Sequence, residues 1–288
     1  MLWSILRNPE LSLRAISVWG FLGALGIGLT ANALVSVLFS DLVAKLAPSV
    51  PLRRRLASYY YSQLAKYIPG RIAALLVQSA TLGTPRSMAV TLVTSIELMA
   101  IGTWTCSIAA VFCALMKSHA ALALIVGVGG ALITAWLIRI DWRPAMRIGW
   151  RLFGRSFEGE ALAVSKRPTL TRALMLGAGS IVLPAASMFV LVAYGFSFGI
   201  ERTLSLTSAL LLSWVGGTIA VIFPAGIGIR ELLFIGMGRL IETAPPAEQM
   251  AAIALLSRLV QVLTDLLGVL GFAALDFLYR KTTGSSIR

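Results

Sequence analysis

The sequence predicts an all-α, polytopic membrane protein built as inverted repeats with two re-entrant or broken-helix hairpins, in about 6–8 membrane segments. Apolar residues make up 58% of the 288 residues and charged residues only 13%, whereas a soluble domain carries about 25%. Apolar runs of about 20 residues, the length of one membrane crossing, recur along the whole chain. Two runs, one in each half, are interrupted by a Pro and a Gly. These observations together predict the fold class.

The first half is predicted to contain a span, a hairpin and a second span. Its segments are an interfacial stretch at 1–14, a span at about 15–39, a basic loop at 41–55, an interrupted run at 57–85 and a span at about 87–114. Pro69-Gly70 divides the interrupted run into two arms of about 13 residues, each about 20 Å long as a helix. Because the apolar core of a bilayer is about 30 Å thick, a re-entrant hairpin is the simplest interpretation.

The second half repeats this order after a linker. Its segments are a linker span at about 120–139, a basic connection at 139–172, a span at about 171–196, an interrupted run at about 204–242 and a last helix at about 248–278. The chain is therefore predicted to be one membrane domain, with repeat A at about 15–115, a linker at about 120–170 and repeat B at about 171–278. The arms of the second interrupted run are long enough for one of them to cross the membrane, so a re-entrant and a spanning form both stay open.

Basic residues between the apolar runs predict the orientation. The chain has 25 Lys and Arg against 12 Asp and Glu, a net charge of +13. This excess lies at the ends of apolar runs, which favours anionic lipid headgroups over nucleic acid as the partner. The positive-inside rule places the basic connection 139–172 and the C-terminus on the cytoplasmic side of a plasma (inner) membrane. The N-terminus would then lie outside, which Arg7 and Arg14 oppose.

The sequence predicts neither a metal site, nor a cofactor, nor an enzyme. Cys106 and Cys113 are seven residues apart on one predicted span and suit small buried residues better than a disulfide or metal site. His119 is the sole histidine, so a Ser/His/Asp arrangement at membrane depth is not possible. No exposed loop carries the acidic pair that metal-dependent glycosyl transfer needs.

The two interrupted runs are the predicted binding site. In the second, Phe223-Pro224-Ala225-Gly226-Ile227-Gly228-Ile229-Arg230-Glu231 should end one helix and begin another, whose first amide groups suit an anion. The corresponding motif in the first half is Lys66-Tyr67-Ile68-Pro69-Gly70-Arg71. Interrupted segments in matching positions of two halves are typical of transporter binding sites. The basic residues beside the breaks would serve that site, or would extend to the interface as ordinary snorkelling side chains.

Two further ionisable residues lie within predicted spans. Glu97 lies in mid-span and Arg258 lies about a third of the way along the last helix, with Gln261 and Asp265 on or near the same face. One interpretation is a structural ion pair, Glu97 with Arg258 or Arg258 with Asp265. The other is that Arg258 binds a phosphate with its planar guanidinium. Both hold if the pair opens when substrate arrives.

These motifs, in this order and spacing over nearly the whole chain, resemble the transmembrane region of the lysylphosphatidylglycerol synthase family, a group of flippase-like integral membrane proteins. The resemblance implies movement of a lipid between leaflets, or service to a pathway for modified lipids. Two departures are evident. The soluble aminoacyl-transferase domain of the full synthases is absent, and Arg71 stands where the family usually has a further small residue.

The sequence therefore predicts a lipid translocase for an anionic phospholipid or a polyprenyl or glycolipid phosphate. The predicted substrate-binding residues are Lys66, Pro69, Gly70, Arg71, Glu97, Pro224, Gly226, Gly228, Arg230, Glu231, Arg258 and Asp265. The alternatives are a non-catalytic subunit that scaffolds a lipid or glycan synthase and, third, a secondary transporter of a small solute. Membrane lipids are the expected partners, with enzymes of lipid or glycan synthesis as further ones.

Overall fold

A computed structural model describes residues 17–68, 72–84, 87–142, 144, 167–220, 226, 228–241 and 244–283. Within these ranges the chain forms helices and no strand. The helices are α1 (Val18–Leu46), α2 (Leu52–Ala65), α3 (Ile72–Leu82), α4 (Ser87–Met116), α5 (Ala120–Arg139), α6 (Leu170–Phe196), α7 (Ile200–Ile219), α8 (Ile229–Gly238) and α9 (Ala247–Thr283). Five of them, α1, α4, α5, α6 and α9, are long and apolar enough to cross a membrane. The predicted class, a polytopic helical membrane protein, is confirmed.

Most predicted segment bounds agree with the structure, and the end of the first span is the main correction. Helix α1 continues to Leu46, so Asp41 and Lys45 lie on a helix and not in a loop. Two tertiary contacts explain the extension. Asp41 forms an ion pair with Arg172 at the start of α6, and Lys45 is buried against Glu97 of α4. A buried charge with a partner is tolerated inside a helix bundle.

The first interrupted run forms a hairpin of two short helices. Helix α2 has 14 residues and α3 has 11, so neither can cross a bilayer core about 30 Å thick. They pack antiparallel: the Ser58 hydroxyl donates to the Gln78 carbonyl oxygen at 3.0 Å, and the Gln78 amide donates to the Ser62 hydroxyl at 3.0 Å. The predicted break is confirmed, although Pro69, Gly70 and Arg71 lie outside the described residues.

The second interrupted run also forms a hairpin, but an unequal one. Helix α7 has 20 residues, about 30 Å, whereas α8 has 10 residues, about 15 Å. Leu233 and Arg230 of α8 pack on Gly216 and Gly217 at the end of α7. Because α8 is too short to cross a bilayer core about 30 Å thick, the break that precedes it lies inside the bundle. Pro224 of this break lies outside the described residues.

The two hairpins enter the bundle from opposite ends. We call the end of the bundle where α1, α3, α5 and α9 finish the C-terminal face, and the end where α4, α6 and α8 finish the opposite face. Arg53 at the start of α2 pairs with Asp276 near the end of α9, which joins the first hairpin to the C-terminal face. Gly238 at the end of α8 packs on Met250 near the start of α9, at the opposite face. The element order is therefore that of an inverted repeat.

Candidate functional site

The first hairpin contacts a carboxylate in the middle of α9, the longest of the described helices. Asp265 is eighteen residues from both ends of the 37-residue helix α9, and its side chain is buried. The Lys66 ammonium at the end of α2 lies 2.8 Å from its carboxylate, and the Tyr67 hydroxyl donates to the same oxygen at 2.7 Å. The amide of Asn32 on α1 reaches the other oxygen at 3.5 Å. Three elements therefore meet at one carboxylate.

The second hairpin reaches the same stretch of α9. Arg230, in the first turn of α8, donates to the Gln261 side-chain oxygen at 2.8 Å, and its guanidinium lies over the Trp214 ring at 5.6 Å from the centroid. Arg258 of α9 lies over the Tyr67 ring, at 5.9 Å. Lys66 at the first break and Arg230 at the second therefore both contact side chains on one stretch of α9. Arg71 of the first break lies outside the described residues.

Helical periodicity explains why α9 can serve both hairpins. Arg258, Gln261 and Asp265 follow one another at intervals of three and four residues, which places them on one face of a helix. A cavity of about 190 Å³ lies along this face, between α1, α2, α6, α7 and α9. Its polar lining consists of Asn32, Tyr59, Gln63, Lys66, Ser187, Trp214, Gln261, Thr264 and Asp265. An adjoining recess shares Trp214 and Gln261 and is lined by Arg230 and Arg258.

The charges around this cavity favour an anion. Lys66, Arg230 and Arg258 are positive, and Asp265 and Glu231 are negative, so the described site has an excess of one positive charge. Lys66 has a carboxylate partner, whereas Arg230 donates to a neutral amide. A guanidinium can bind a phosphate with two parallel hydrogen bonds, which an ammonium cannot match in geometry.

The amide end of the second half-helix is capped by its own side chain. The Gly228 N–H donates to Glu231 Oε2 at 2.8 Å. A carboxylate therefore already occupies part of the anion position expected at the start of α8. A phosphate that used this amide would have to displace Glu231.

Glycine is required where the second break returns toward α7. Gly226 has a φ of +70°, a conformation that favours glycine, and an added Cβ would lie 2.8 Å from the Gly217 carbonyl oxygen. Gly217 in turn leaves room for the Arg230 side chain, because a Cβ there would lie 2.2 Å from Arg230 Cγ. These two glycines bring the arginine against the end of α7 and so place it beside the cavity.

Glu97 is the predicted site residue that the structure sets apart. Its carboxylate pairs with Lys45 at 2.9 Å, and both side chains are 1% exposed. Lys45 also donates to the Ile140 carbonyl oxygen at 3.1 Å, so the pair joins α1, α4 and the end of α5. The expected pairs of Arg258 with Glu97 and with Asp265 do not form, because Lys45 and Lys66 take these carboxylates. Glu97 lines neither the cavity nor the recess and has a structural role here.

Tyr67, Asn32 and Trp214 belong to the site, and the sequence alone does not assign them to it. Asn32 carried a usable signal, because a polar residue within an apolar span calls for a partner, as Glu97 does. Trp214 carried no comparable signal, because tryptophan is common at membrane interfaces without any role in binding.

Comparisons with known proteins identify no relative of this chain. No protein-family model, no curated protein and no solved structure matches the chain. The resemblance to the flippase-like family therefore stays a prediction based on the motifs quoted above. In the part of the chain that the structure describes, no group of three or more His, Cys, Asp or Glu could hold a metal ion. Cys106 and Cys113 are both free cysteines.

Proposed function

We propose that the protein is a flippase-like lipid translocase that handles an anionic phospholipid or a polyprenyl or glycolipid phosphate in the plasma (inner) membrane, with the connection 139–172 on the cytoplasmic side. The observation that carries the proposal is the meeting of Lys66, Arg230 and Arg258 at the middle of α9. Positive charge deep in an apolar bundle is costly unless it is paired or faces a polar ligand or pathway. A phosphate headgroup is a ligand of matching charge.

In this proposal the headgroup enters the cavity and the chains stay in the bilayer. Arg230 and Arg258 bind the phosphate, while Lys66 exchanges its contact with Asp265 for a contact with the headgroup. A groove of about 490 Å³ between α4 and α7 offers room for a chain. It ends at Thr218 and Ile219, immediately before the second break, and its other walls are formed mainly by apolar residues of α4. A headgroup at the break and a chain in this groove would be continuous.

The inverted order of the two hairpins supports alternating access. Each hairpin is anchored at one face and ends near the middle of α9, so either could move while the other holds the headgroup. Movement of the first would break the Lys66–Asp265 contact, and movement of the second would break the Arg230–Gln261 contact. The proposal assigns no chemical reaction to the chain.

Lipid transfer in proteoliposomes tests the proposal. The protein is reconstituted with fluorescent phosphatidylglycerol or, in parallel vesicles, with a fluorescent polyprenyl phosphate, and dithionite quenching reports the lipid that changes leaflet. Arg258→Gln should slow transfer about ten-fold or more, since a charge-assisted contact to phosphate is worth about 1.5–3 kcal/mol. Arg239→Gln, an exposed position at the end of α8, is the matched control and should transfer at the wild-type rate.

Two results would count against the proposal. Wild-type transfer no faster than that of protein-free vesicles, with both lipids, would reject translocation of these lipids. Co-purification of a lipid or glycan synthase with such an inactive protein would favour the scaffold role. Transfer at the normal rate by Arg258→Gln would reject the assigned site.

A further inference from the structure

A second basic pocket lies at the C-terminal face, apart from the central cavity. It has a volume of about 470 Å³ and lies between the start of α2, the end of α3 and the end of α9. Arg53, Arg54, Tyr61, Gly83, Asp276 and Arg280 contribute to its lining. None of its lining residues lines the central cavity. A ligand here would therefore bind independently of the translocation site.

The arginines that line this pocket outnumber its aspartate by two. Asp276 accepts hydrogen bonds from both Arg53 and Arg280, the latter at 3.0 Å. Arg54 forms no ion pair or hydrogen bond with any residue that the structure describes, and it is half-buried in the wall. Three arginines against one aspartate give the lining a charge of +2.

The geometry beside Arg54 leaves this charge accessible. Helix α3 ends at Leu82, and the next residue, Gly83, has a φ of +59° and an N–H that donates to the Ser79 carbonyl oxygen. A Cβ at Gly83 would lie 3.8 Å from Arg54 Nη1, so this glycine forms the wall beside the guanidinium. The Tyr61 hydroxyl on the same lining makes no hydrogen bond to a described residue and can donate to a ligand.

The surroundings of the pocket favour a lipid over a free anion. The last turns of α9 expose Leu275, Phe277 and Leu278, each more than half accessible. An apolar surface that ends at a cluster of arginines matches the boundary between acyl chains and headgroups. Basic pockets between membrane helices are suited to phosphate headgroups, because guanidinium and phosphate match in charge and geometry. We propose that this pocket binds the phosphate headgroup of an anionic lipid.

Binding of a short-chain lipid tests this site. The purified full chain in dodecyl maltoside is titrated with dihexanoyl phosphatidylglycerol, and with dihexanoyl phosphatidylcholine and inorganic phosphate as comparison ligands. Arg54→Gln should weaken phosphatidylglycerol binding about ten-fold, as the loss of one charge-assisted contact implies. Arg239→Gln removes one exposed charge from the opposite face and should bind as the wild type does. Arg54 forms no ion pair or hydrogen bond with the described residues, so its variant should keep the wild-type melting temperature.

The same titration with Arg258→Gln separates this site from the central cavity. Binding that falls with Arg54→Gln and persists with Arg258→Gln supports the pocket, whether or not the protein moves lipid. Binding that falls with Arg258→Gln alone overturns it. Equal affinity for phosphatidylcholine would overturn the preference for an anionic headgroup. Competition by inorganic phosphate at equal concentration would overturn the assignment to a lipid.

Discussion

The two hairpins occupy corresponding places in the halves of the molecule, but different interactions hold them. In the first, hydrogen bonds join α2 to α3 and the Lys66–Asp265 ion pair joins the tip to α9, while Tyr59 and Leu82 pack in an apolar cluster. The second relies on close approach of backbone at Gly217 and Gly226, with a neutral contact from Arg230 to Gln261. The two hairpins therefore share the order helix, break, helix but are held in place by different interactions.

This difference determines which change each hairpin should respond to. In the first hairpin the Lys66 ammonium pairs with the Asp265 carboxylate, and removal of one partner leaves the other charge in a poorly hydrated place. In the second, Arg230 contacts the Gln261 amide and the Trp214 ring, and its position depends on the space that Gly217 leaves. We expect the first hairpin to respond most to the loss of a charge and the second to the addition of a methyl group.

The largest effect should come from removal of the carboxylate that holds the first hairpin. Asp265→Asn leaves Lys66 facing a neutral group, and breaking a buried ion pair on one side costs about 3 kcal/mol. We expect a clear fall in the melting temperature in detergent. Asp41→Asn is the control, because its partner Arg172 is 51% exposed and such a pair contributes less than about 1 kcal/mol. Equal losses in the two variants would show that the burial of the pair has no influence.

A somewhat smaller effect should follow from one methyl group in the second hairpin. Gly226→Ala adds a Cβ that would lie 2.8 Å from a backbone oxygen at a positive φ, a strain of about 1–3 kcal/mol. Stability should fall, and lipid transfer should fall with it because Arg230 is displaced. Gly236→Ala is the matched control in the same hairpin, since a Cβ there meets nothing within 4 Å. A stable and active Gly226→Ala variant would contradict the proposed packing.

The smallest effect should come from removal of the hydrogen bonds of the Gln78 side chain in the first hairpin. Gln78 donates to Ser62 and accepts from Ser95 of α4, and its side chain is buried. Gln78→Met keeps the volume but removes both bonds, which should cost about 1–2 kcal/mol in unfolding measurements. The exposed Gln249→Met should leave stability unchanged. No loss in Gln78→Met would indicate that the Gln78 side-chain hydrogen bonds to α2 and α4 do not stabilise the protein.

Local chemistry predicted the breaks, and the contacts between them depended on the tertiary structure. Pro-Gly and Pro-x-Gly sequences interrupt any helix, so both hairpins followed from the chain itself. The partner of Glu97 did not, because Lys45 lies 52 residues away at the end of a helix that was predicted to stop before it. Where two charged residues meet depends on how the helices pack, and no spacing in the sequence records that.

The sequence by itself determined that the chain is a polytopic helical membrane protein, since apolar runs and their interruptions depend only on neighbouring residues. It also placed Arg258, Gln261 and Asp265 on one face of the last helix through the helical period. Only the tertiary structure decided that Lys66 pairs with Asp265 and that Arg230 donates a hydrogen bond to Gln261. The physical reason is that each buried charge selects the nearest partner that packing brings within reach.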